Sequence, residues 1–105
     1  MPITLCRVSD MFEGESRKFT FANRAPIALF RLEGCYFAID DTCTHAEGSL
    51  SEGFIEDNCV ICPVHPGEFD IRTGRACSFP AEKDLGIYSV RILDEQVILD
   101  IEAER

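Results

Sequence analysis

Two short motifs, Cys43-Thr44-His45 and Cys62-Pro63-Val64-His65, constrain this chain more than any other feature, and sixteen residues separate His45 from Cys62. They hold the only two histidines of the sequence, each placed just after a cysteine, and each motif is followed by a glycine, Gly48 or Gly67. The stretch from Asp40 to Pro80 around them is Gly-rich and carries only brief strand signals, at Gly53–Glu56, Cys59–Ile61 and Glu68–Ile71. Asp57-Asn58 and Arg72-Thr73-Gly74-Arg75 read as turns between them. A chain of 105 residues buries too little surface to hold such a segment by its core alone, so a clamp is expected there. Two Cys and two His suit a tetrahedral zinc site. The order is nevertheless mixed, with one Cys and one His in each arm. That order suits a two-iron cluster in which Cys43 and Cys62 take one iron and His45 and His65 the other.

The flanks read as strands. Ile3–Val8 and Arg17–Ala22 are β-like, and Ser9–Glu15 reads as a loop with room for one helical turn. Pro26–Leu32, Glu33-Gly34 and Cys35–Ile39 form a hairpin pattern, as do Ile87–Leu93, Asp94-Glu95 and Val97–Ile101. In the last of these Val97, Leu99 and Ile101 fall on one face. No long window carries a helical apolar stripe. The expected class is all-β, in a single domain over residues 1–105.

The charge balance narrows the partners. Nineteen acidic against ten basic residues give a net charge of −9, which repels a phosphate backbone and argues against nucleic-acid binding. The acidic residues Glu47, Glu52, Glu56 and Asp57 fall in the motif segment, where they can face a basic partner or simply solvent. The longest apolar run, Ala25–Phe30, is far too short to span a bilayer. The start, Met1-Pro2-Ile3-Thr4-Leu5, has no signal-peptide pattern, so a cytoplasmic protein without a membrane partner is expected. In that setting six cysteines point to metal or redox work rather than to three disulfides.

The ligand pattern C-x-H … C-x-x-H resembles that of the Rieske family of 2Fe–2S proteins. So do Asp41-Thr42 before the first motif, Gly67-Glu68-Phe69-Asp70 after the second, and the Thr73-Gly74 turn. Together with the short β-rich flanks, the chain resembles the small Rieske ferredoxins of bacterial aromatic-ring dioxygenase systems. The resemblance implies an antiparallel β-sandwich or barrel base, residues 1–39 and 81–105, with a loop-rich cluster-binding part at about 40–80. It implies one Rieske-type 2Fe–2S cluster held by Cys43, His45, Cys62 and His65. It further implies a monomeric one-electron carrier, not an enzyme, between a flavin-containing ferredoxin reductase and a terminal oxygenase. Both histidines being used, none remains for a mononuclear iron. A structural zinc module that binds a protein partner, and a small subunit of a nitrite-reductase-type enzyme, stand as alternatives.

The resemblance also places the expected potential. Respiratory-chain relatives carry an extra Cys in each loop, joined as a disulfide; the matching positions here are Gly48 and Val64. Their sulfur-donating Ser and Tyr hydroxyls are matched here by Gly67 and Phe69. Fewer hydrogen bonds to sulfur stabilise the reduced state less, which implies the low end of the Rieske range of about −150 to +300 mV. Pro66 after the second His removes one more backbone N–H. Ligation of the two imidazoles implies a midpoint that falls as pH rises past the oxidised-state His pKa. Phe69, Phe79 and Pro80 read as core, a reading that leaves room for them to shield the cluster as well. Cys6, Cys35, Cys59 and Cys77 read as small buried hydrophobes.

Overall fold

The computed structural model describes residues 2–43, 48–64, 67–78 and 84–101. Ten strands run along them: β1 (Pro2–Arg7), β2 (Ser16–Phe21), β3 (Arg24–Leu32), β4 (Cys35–Asp40), β5 (Phe54–Glu56), β6 (Cys59–Ile61), β7 (Glu68–Asp70), β8 (Ala76–Ser78), β9 (Ile87–Leu93) and β10 (Gln96–Asp100). Among the described residues the only helical pieces are two single 3-10 turns, Val8–Asp10 and Leu50–Glu52. No helix there is long and apolar enough to cross a membrane. The all-β expectation holds.

Six strands form one antiparallel, nearly closed sheet in the order β1-β10-β9-β4-β3-β2; four short ones form a second sheet in the order β5-β6-β7-β8. The hairpins fall where turn chemistry puts them. Between β3 and β4, Glu33 and Gly34 adopt φ of 51° and 75°, the paired left-handed conformation that matches strand twist. Asp94 and Glu95 do the same between β9 and β10, at 51° and 62°, without a glycine. The Glu13 carboxylate accepts hydrogen bonds from the backbone N–H groups of Glu33 and Gly34, which holds its pKa below the usual range.

The continuous apolar run in β3 has a structural cause. Ala28, Phe30 and Leu32 point into one core together with Ile39, Leu50, Val60, Phe69, Ile71 and Leu85; Ile27 and Leu29 point into a second with Met11, Ala38, Tyr88, Val97 and Leu99. A strand covered on both faces needs apolar residues at successive positions. Val97 and Leu99 do share a face, with Ile101 packed against the same core. The first core belongs to both sheets, so the four-stranded sheet is held to the larger one by side chains from each.

Two expectations are corrected. β8 carries no strand signal, because Ala76-Cys77-Ser78 offers neither β-branched nor aromatic residues; it pairs with β7 through an irregular register. The four cysteines outside the motifs are not buried: Cys35 and Cys77 are exposed, Cys6 and Cys59 half-buried. Cys35 opens β4 directly after a turn, Cys6 sits at a register shift on edge strand β1, and Cys77 lies on edge strand β8.

Candidate metal centre

Each motif cysteine leaves the end of a strand and is fixed by the same backbone device. Cys43 follows β4 and donates its N–H to the Gly48 carbonyl at 3.0 Å; Cys62 follows β6 and donates to the Gly67 carbonyl at 2.9 Å. Each bond closes a loop of equal length. Both residues are almost inaccessible, at 4% and 3%, and belong to the core of Leu50, Val60, Phe69 and Ile71. Two thiols are thus delivered to one apolar environment at the start of two loops closed by the same hydrogen bond. His45, Pro66 and His65 lie outside the described residues, as do Glu47, Phe79 and Pro80.

The first loop is tied down from below by Asp41, a fully buried carboxylate. Its Oδ1 accepts from the Ser51 N–H at 2.8 Å, its backbone N–H donates to the Pro26 carbonyl at 3.1 Å, and its carbonyl accepts from Leu50 at 2.7 Å. Lys18 Nζ stands 3.7 Å from Oδ2 and donates to Ser49 Oγ at 3.2 Å. The bridge between Thr42 and Ser49 completes the neck of the loop. Next to it, the Asp40 carboxylate accepts from Gly86 N–H at 2.8 Å and from the Tyr88 hydroxyl at 2.5 Å, while Arg24 donates to that hydroxyl at 2.7 Å. Burial first, and then the bond to Asp40, push the Tyr88 pKa up. Asp41 stood in the sequence beside the first motif, but nothing in the sequence marked it as the residue that anchors the loop.

On the far side, Asp70 Oδ1 accepts from Arg72 and Thr73 N–H at 2.8 and 3.1 Å, and Gly74 takes φ +74°. This is the turn expected at Thr73-Gly74. Phe69 is wholly buried, which bears out its reading as core. Glu52, Glu56 and Asp57 are exposed.

The two loops touch through Gly48. A Cβ there would stand 2.8 Å from Cys62 Sγ and 2.9 Å from Val64 Cγ2. Two buried thiols in one core, with a bare backbone against one sulfur, supply the sulfur half of the donor set that an iron–sulfur cluster requires. The test is Gly48→Ala. In cluster-free protein Cys62 Sγ can rotate away, whereas a sulfur bonded to iron cannot. Cluster content per chain is expected to fall by roughly half or more, with the stability of the cluster-free protein changed by less than about 1 kcal/mol. Iron analysis and urea unfolding read the two effects separately.

An all-β fold that brings two buried cysteines into one core fits a small iron–sulfur domain, and the family pattern agrees. The Rieske [2Fe-2S] domain matches residues 1–91, and the chain belongs to that family; its cofactor is one Rieske-type 2Fe–2S cluster. The 3-phenylpropionate/cinnamic acid dioxygenase ferredoxin subunit of Photorhabdus laumondii is 37% identical over 102 residues, 96% of this chain and 95% of that one. The anthranilate 1,2-dioxygenase ferredoxin subunit of Burkholderia cepacia is 40% identical over 92 residues, 88% of this chain and 85% of that one. A solved chain from the complex of reduced oxygenase and oxidized ferredoxin in carbazole 1,9a-dioxygenase superposes with a TM-score of 0.90 at 35% identity, covering 93% of this chain and 91% of that one.

Proposed function

We propose that this chain is a one-electron carrier that accepts from a flavin-containing ferredoxin reductase and delivers to the terminal oxygenase of an aromatic-ring dioxygenase system. It is itself the electron-transfer component and not the catalyst. The observation that carries the reading is the pair of buried thiols, Cys43 and Cys62, presented by equivalent loops in one apolar core. Cys43 and Cys62 hold one iron through sulfur, and His45 and His65 hold the other through nitrogen. The cluster, when bound, supplies a single reversible electron. The chain's own contribution is to bind it, to exclude water from the sulfur side with Leu50, Val60 and Phe69, and to keep it near the surface beside half-exposed Val64.

The relatives are ferredoxin subunits of dioxygenases, which favours this reading over the zinc module and the nitrite-reductase subunit. A low potential within the Rieske range follows from Gly48, Val64, Gly67 and Phe69, none of which brings a sulfur bridge or a hydroxyl to the site. Residues 1–39 and 81–105 serve as the base and about 40–80 as the cluster-binding part. The chain acts as a cytoplasmic monomer without nucleic-acid or membrane partners, and its exposed Glu52, Glu56 and Asp57 meet basic surfaces on the two redox partners.

The experiment is iron and acid-labile sulfide analysis of the purified protein, with EPR of the dithionite-reduced form. Two irons and two sulfides per chain with a rhombic signal of low average g are expected. Cys62→Ser is expected to abolish the colour and the signal. A colourless protein holding zinc would overturn the reading. So would a loaded protein that does not carry electrons from a ferredoxin reductase to an aromatic-ring oxygenase.

A further inference from the structure

Outside the cluster motifs, a second pair of sulfurs comes together. Cys59 on β6 and Cys77 on β8 lie on the two strands that flank β7, and their Sγ atoms are 3.7 Å apart. Neither is in a disulfide, and Cys77 is exposed. We propose that Cys59 and Cys77 form a separate thiolate site that chelates one thiophilic divalent cation of the zinc type on the outer face of the small sheet.

The spacing carries the argument. Two thiolates at about 2.3 Å from a tetrahedral metal, with an S–M–S angle near 109°, stand about 3.8 Å apart. The observed separation already meets that bite, so the ion enters without moving the backbone. A disulfide makes the opposite demand. Its sulfurs must close to about 2.05 Å, and its Cα atoms to roughly 6 Å. These cysteines sit on strands separated by β7. Bond formation would have to draw the sulfurs together by roughly 1.6 Å, whereas chelation leaves them where they stand.

The surroundings favour a cation. Asp70 and Glu68 on β7 lie close enough to act on the Cys59 thiol, and the Cys77 thiol also contacts the Arg75 carbonyl at 3.5 Å. Burial, the contact with Cys77 and these two carboxylates push the Cys59 thiol up to about 12. Sulfur is a soft donor, so a pair of thiolates selects zinc-type ions over hard ions such as calcium and magnesium, which take oxygen ligands. Binding converts two thiols and one divalent ion into two metal–sulfur bonds and releases two protons, with no electron transferred. Among the described residues no third Cys, His, Asp or Glu joins the pair as a ligand group, so the remaining positions go to water and the ion is exchangeable.

The test is a zinc titration of the cluster-loaded protein against a chromophoric zinc chelator, with the cluster's visible absorption followed throughout. One zinc per chain is expected beyond the iron, with the absorption unchanged. Cys59→Ser and Cys77→Ser are each expected to weaken that binding by about tenfold or more, and Cys35→Ser to leave it unchanged. Should either variant fold poorly, wild-type protein answers the same question, since zinc is expected to protect Cys59 and Cys77 together from alkylation. Zinc binding indifferent to both substitutions, zinc taken up only as iron is lost, or air-exposed protein lacking two hydrogens in a Cys59–Cys77 disulfide would overturn the proposal. None of these readouts depends on electron delivery to an oxygenase, so the site can fail while the carrier function stands.

Discussion

Phe69→Ala is expected to destabilise the protein by about 3–5 kcal/mol, the range for emptying a fully buried aromatic position. Phe69 is wholly inaccessible and shares one core with Cys43 and Cys62, with Val60 of the small sheet and Ile71 just past its third strand, and with Phe30 and Ile39 of the large one. Removing the ring therefore opens a void where the two sheets meet. Typical domains have about 5–15 kcal/mol of stability in all, so much of the margin would go. The loss should fall on both cluster retention and the global unfolding transition, because the ring supports the sulfurs and the inter-sheet contact at once. Thermal unfolding and iron content per chain check this. Phe12→Ala is the control: that ring is 79% exposed, and a change of less than about 0.5 kcal/mol is expected. Equal effects at both positions would mean that Phe69 does not join the sheets.

The contrast between these two phenylalanines marks what a sequence discloses and what it does not. Hairpins were legible because their signals are local. Glu33-Gly34 between two apolar runs suffices to place β3 and β4, and the alternation of Val97 and Leu99 suffices to orient β10. Asp94-Glu95 was legible only from its flanks, since neither residue favours the left-handed conformation both adopt. β8 was not legible, being three small or polar residues that form a strand because β7 offers them an edge. Burial of the spare cysteines was misjudged because composition ranks Cys as an interior residue, whereas edge position and register shifts decide these cases.

The candidate site divides along the same line. The four proposed ligand residues stood out by spacing alone. The parts that depend on the chain folding back were silent in the sequence: Gly48 against a sulfur fourteen positions away, Asp41 under the first loop with Lys18 beside it, and Cys59 meeting Cys77 across β7. These contacts join residues from different strands and loops, and no local preference encodes them.

Gly53→Ala is expected to have a comparably large effect by another route. A Cβ at Gly53 would stand 2.3 Å from the Ile61 carbonyl oxygen, 3.1 Å from the Leu50 carbonyl oxygen and 3.2 Å from Val60 Cγ2. The nearest atom is backbone, so no rotamer change relieves the contact. Ile61 pairs with Phe54 across β5 and β6, and its carbonyl shares a planar peptide unit with the Cys62 N–H, which donates to Gly67 at 2.9 Å. Pushing that carbonyl aside must tilt the Cys62 N–H and strain the closure of the second loop. Overpacking of this kind costs about 1–3 kcal/mol and at times more, to which the weakened loop bond adds roughly 1 kcal/mol. The cluster-free and the cluster-loaded protein should both be destabilised, since the clash exists in each. Gly48→Ala, whose near contacts are side-chain atoms, should spare the cluster-free form. Urea unfolding of both variants with and without the cluster separates the two mechanisms. If Gly53→Ala left the cluster-free protein at wild-type stability, Gly53 would not be what seats β5 against the strand that delivers Cys62.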